Sequence, residues 1–119
     1  AAGLLEAATQ VACTGKPCLL LAFDTNYPEP LLSLRPIPHA LGVALVLSPV
    51  RTDKTLATLG MAITTLPSTS MDEPALERMR TQVPTARGLP VMQLLARRET
   101  GAAVIDYLGG RQLRVDVMP

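Results

Sequence analysis

Two cysteines, one histidine and a scatter of carboxylates are the side chains in this sequence that could carry chemistry. Cys13 and Cys18 are spaced too widely for a CxxC redox or zinc half-site. His39 is the sole imidazole, so a Cys/His zinc site lacks ligands. A nucleophilic Cys or Ser needs a base within hydrogen-bond reach, and usually a third group that orients the base. Cys13 is expected at the end of a helix, where the negative dipole end makes a thiol less reactive. Cys18 is expected at the head of a buried strand. Both read as reduced core thiols of a cytoplasmic protein. His39, between Pro38 and Ala40, reads as a loop residue that caps or fills. Gly15-Lys16 has no GxxxxGK[ST] around it, and Gly109-Gly110 lies between two strands; neither is built to cradle phosphate. These residues assign no catalytic group, no metal and no cofactor.

Among the carboxylates Asp24 is the best placed. It sits at the C-terminal end of a predicted strand, the end that faces the ligand crevice in open α/β sheets. A lone Asp ahead of a Pro-rich loop is more often an acceptor that anchors the loop, and that reading is preferred. Asp72-Glu73 reads as a helix start. Asp106 and Asp116 are expected on the wet side of a hairpin, or paired with Arg111 and Arg114.

The elements that must position these residues follow from hydrophobic period. Leu4, Leu5, Ala8, Val11 and Ala12 share one helical stripe, with Gly15 and Pro17 as the stop. The apolar run 18–23 reads as a strand buried on both faces. Residues 24–38 read as a loop broken by Pro28, Pro30, Pro36 and Pro38. Residues 40–47 are again strand-like. Leu59, Met61 and Ile63 alternate with small residues, a period of two that predicts a half-buried strand antiparallel to the one before it. Glu73-Pro74 opens a helix with Leu76, Met79 and Val83 inward and Glu77, Arg78 and Arg80 wet. A further helix runs to Arg98 with Val91, Leu94 and Leu95 as its stripe. Residues 103–117 form a hairpin that turns at Gly109-Gly110.

Composition bounds the function classes. The 119 residues are enough for one modest core, so residues 1–119 read as a single, truncated domain. Hydrophobic residues make up 48% and charged residues 18%, which suits a buried α/β domain or one that covers part of its surface with a partner. A net charge of +1 without a basic face argues against nucleic acid. Phe23, Tyr27 and Tyr107 are the only aromatics, too few for a base-stacking platform. No apolar run approaches bilayer-spanning length.

The stretches Ala2-Gly3-Leu4-Leu5-Glu6-Ala7, Gly15-Lys16-Pro17, Leu19-Leu20-Leu21-Ala22-Phe23-Asp24, Pro28-Glu29-Pro30-Leu31 and residues 40–49 resemble the β-ketoacyl synthase-like N-terminal domain family. So does the ending, from Gly88-Leu89-Pro90 through Asp106-Tyr107 to Pro119. The resemblance implies part of a thiolase-like α/β fold, with a mixed sheet, helices and a C-terminal β-hairpin. It implies fatty-acid or polyketide-type condensation, an acyl carrier protein as partner of the parent protein, and a homo- or hetero-oligomer. By this alignment the nucleophilic Cys of condensing enzymes falls a few residues ahead of Ala1, so no catalytic residue carries over. Phe23-Asp24 stands where active relatives have Gly-Gly, a departure that suits a non-catalytic partner similar to a chain-length factor. A self-associating interaction module is the remaining alternative.

Overall fold

The computed structural model describes residues 1–119. Helix α1 (Ala2–Thr14) buries Leu4, Ala7 and Val11, one turn apart along one side. It stops at Gly15, whose φ of 66° returns the chain by a left-handed step. The chain then enters β1 (Cys18–Asp24), the short helix α2 (Leu31–Leu34) and β2 (Leu41–Leu47). Next come β3 (Thr58–Thr64), α3 (Pro74–Gln82), a 3₁₀ turn (Thr85–Gly88) and α4 (Leu89–Arg97). The hairpin of β4 (Gly101–Asp106) and β5 (Gln112–Met118) ends the chain. Its turn puts both Gly109 and Gly110 at positive φ, 62° and 73°. The molecule is thus an α/β domain with a C-terminal hairpin.

The strands form two antiparallel sheets. One is the ribbon β1–β2, in which Cys18 faces Leu47 and Asp24 faces Leu41. The other has the order β3-β5-β4. The period-two pattern of β3 identified a strand but not its neighbour. β3 does not pair with β2, as the sequence suggested; it pairs with β5, setting Leu59 against Val117 and Met61 against Val115. The reason lies in β5. Its alternating Leu113, Val115 and Val117 are fully buried, and a central strand that apolar recruits a neighbour on each side.

These three residues join Leu4, Val91, Leu95, Ala103 and Ile105 in the main core. A smaller core gathers Ile37, Val83 and Ala86. The outer edge of β4 is closed by the segment ahead of α3. The Thr69 N–H donates to the Val104 carbonyl at 2.8 Å, and the Val104 N–H donates to Thr69 Oγ1 at 2.9 Å.

Several expectations change. β1 is not buried on both faces: Leu19, Leu21 and Phe23 point to solvent. Helix α1 covers the inner face alone, and no part of the described chain covers the other. Cys13 is exposed and Cys18 half-buried, so neither thiol belongs to the core. Leu76 of α3 stays 37% exposed, because the inward role falls to Val83 just past the helix end. No helix is long and apolar enough to cross a membrane.

Candidate functional site: the cavity at the head of helix α1

A strand with one covered face sends alternate side chains inward. In the ribbon these are Leu20, Ala22 and Asp24 from β1, and Val43 and Leu45 from β2. They meet the first turn of α1 and the start of α4 without filling the space between. A cavity of about 340 Å³ remains, also lined by Val91 and Ile105. Its walls are mostly apolar. Asp24 and Thr85 are the polar side chains among its lining residues, and the first turn of α1 adds its backbone.

Asp24 closes one end. Its Oδ2 accepts the Thr85 N–H at 2.5 Å, although 61 residues separate the two. That N–H is the first of the 3₁₀ turn and has no partner within the turn, so an external acceptor is required. Asp24 is thus an acceptor, as preferred from sequence, but its donor lies in the turn ahead of α4 and not in the Pro-rich loop that follows it. The head of α1 closes the other end. No side chain caps this helix, and its first turn holds no acidic residue. Unpaired N–H groups and the positive end of the helix dipole thus lie beside an apolar space. Such a combination suits a ligand with an apolar body and one polarisable oxygen or anionic group.

The thiols and the imidazole are not brought together. His39 lies just before Leu41, at the Asp24 end of the ribbon. Cys18 lies at the opposite end, six residues further along the strand or roughly 20 Å away. Cys13 belongs to that same far end, since Cys18 Sγ approaches Gln10 Oε1 of α1 at 3.9 Å. No group of three or more His, Cys, Asp or Glu residues could hold a metal ion.

The remaining charged groups do structural work. Glu73 caps α3 through the Leu76 N–H at 2.9 Å, in line with its reading as a helix start. Glu77 and Arg80 do not stay wet. They form a two-bond pair at 2.6 and 2.7 Å, and the Arg80 side chain is only 13% exposed. Glu77 Oε2 also accepts the Met71 N–H at 2.8 Å. The Arg80 guanidinium, helped by that N–H, holds the Glu77 carboxyl down at about 2. Asp106 faces Arg87 at 3.9 Å and accepts the Ser68 hydroxyl, rather than Arg111 or Arg114. Asp116 does pair with Arg114, at 2.7 Å.

Sequence reasoning found Asp24 but missed Thr85 and the head of α1. Strand parity is the signal that could have found part of this: Leu20, Ala22 and Asp24 share one side. The Thr85 contact had no local signal. No family model, curated protein or solved structure matches this chain.

Proposed function

We propose that this chain is part of a β-ketoacyl-synthase-like protein, the part that walls the acyl pocket, and that it is not catalytic by itself. The reading rests on one observation: an apolar cavity of about 340 Å³ opens at the uncapped head of α1. The sequence resemblance sets the nucleophile of condensing enzymes a few residues ahead of Ala1, upstream of that helix. An acyl thioester held there would put its chain among Leu20, Ala22 and Val43, and its carbonyl oxygen toward the free N–H groups of α1. In the parent reaction a malonyl thioester on an acyl carrier protein loses CO₂, and the resulting carbanion attacks the carbonyl carbon of the acyl group held on the upstream Cys, forming the new C–C bond as the C–S bond breaks and the thiolate leaves. Nothing among Cys13, Cys18 and His39 provides a nucleophile at this cavity.

The second reading is a partner subunit similar to a chain-length factor, which shapes the tunnel but holds no acyl group. Asp24 favours it. Where active relatives keep Gly-Gly, this side chain reaches the cavity wall and is committed to Thr85. Phe23 plays no part in crowding the cavity, since it points to the opposite face and is 74% exposed.

Calorimetric titration of the full chain with an octanoyl-pantetheine thioester tests the pocket. Binding is expected, with a loss of tenfold or more in affinity, about 1.4 kcal/mol or more, when Ala22→Phe fills the space. Absence of binding by the unsubstituted chain overturns the proposal. The residue encoded a few positions ahead of Ala1, where the resemblance places the nucleophile, separates the two readings. A Cys there marks a condensing enzyme, and any other residue marks the partner.

A further inference from the structure

We draw no further inference here: the strongest candidate, the thiol pair of Cys13 and Cys18 on either side of the turn from α1 into β1, carries nothing, because Cys13 stands two positions past the buried Val11, on the outward side of α1, while the Cys18 thiol faces Gln10 at 3.9 Å, and nothing in the structure brings the two sulfurs within bonding reach.

Discussion

Glu77 has two partners at once, the Arg80 guanidinium and the Met71 N–H. Together they favour the charged form, so its carboxyl titrates at about 2, below the ordinary 4.5. A depressed carboxyl contributes stability in full above the unfolded value, and the contribution is lost as pH falls through the folded one. The window for Glu77 therefore runs from pH 4.5 down to about pH 2. Glu77→Gln should flatten the fall of the urea midpoint with acidification across that window. Equal slopes in the two proteins would show that the pair contributes nothing. The neighbouring Arg80 is shifted the opposite way, upward, by its hydrogen bonds to Glu77, which leaves it charged throughout.

At the scale of elements, β5 carries more of the fold than any other segment. Leu113, Val115 and Val117 are fully buried, and β5 has a neighbour along both edges. Leu113→Ala should cost about 2–5 kcal/mol, as transfer and cavity costs add at a site that cannot collapse. Leu108→Ala, 64% exposed at the adjoining turn, should stay within about 0.5 kcal/mol. Chemical denaturation of the two variants compares them, and similar losses would contradict the assignment of the core face. Helix α1 is delimited in a different way. Gly15 at φ 66° lets its N–H reach the Val11 carbonyl at 2.9 Å. Gly15→Ala should lower stability by about 1 kcal/mol through left-handed strain, with no loss of core contacts.

At the scale of the whole molecule two sheets are joined through a small number of elements. The ribbon rests on α1. Its one hydrogen bond to the segment ahead of α4 runs from the Thr85 N–H to Asp24. Asp24→Ala removes that acceptor and should cost about 1–3 kcal/mol. Hydrogen exchange gives the sharper test. Protection should fall in β1 and β2 and at the Thr85 amide, while β4 and β5 keep theirs. A uniform loss across both sheets would mean that they open as one unit. The same bond fixes one wall of the cavity, so the variant should also weaken thioester binding there.

Local chemistry determined the elements of this protein. The stops at Gly15 and Pro17, the Glu73 cap, the Gly109-Gly110 turn and the alternation of Leu113, Val115 and Val117 act over a few residues, and each was legible in the chain. That Asp24 serves as an acceptor was legible too, but that its donor is the distant Thr85 N–H and not the loop after it was not. Tertiary structure alone decided the rest. Period two marks β3 as a strand, but its pairing with β5 depends on a surface some fifty residues away. An unbroken apolar run reads alike whether one face or two are covered, so the exposure of Leu19, Leu21 and Phe23 was hidden in the sequence. The cavity was equally hidden, since it is a gap between α1, the ribbon and α4 whose size depends on how those elements meet.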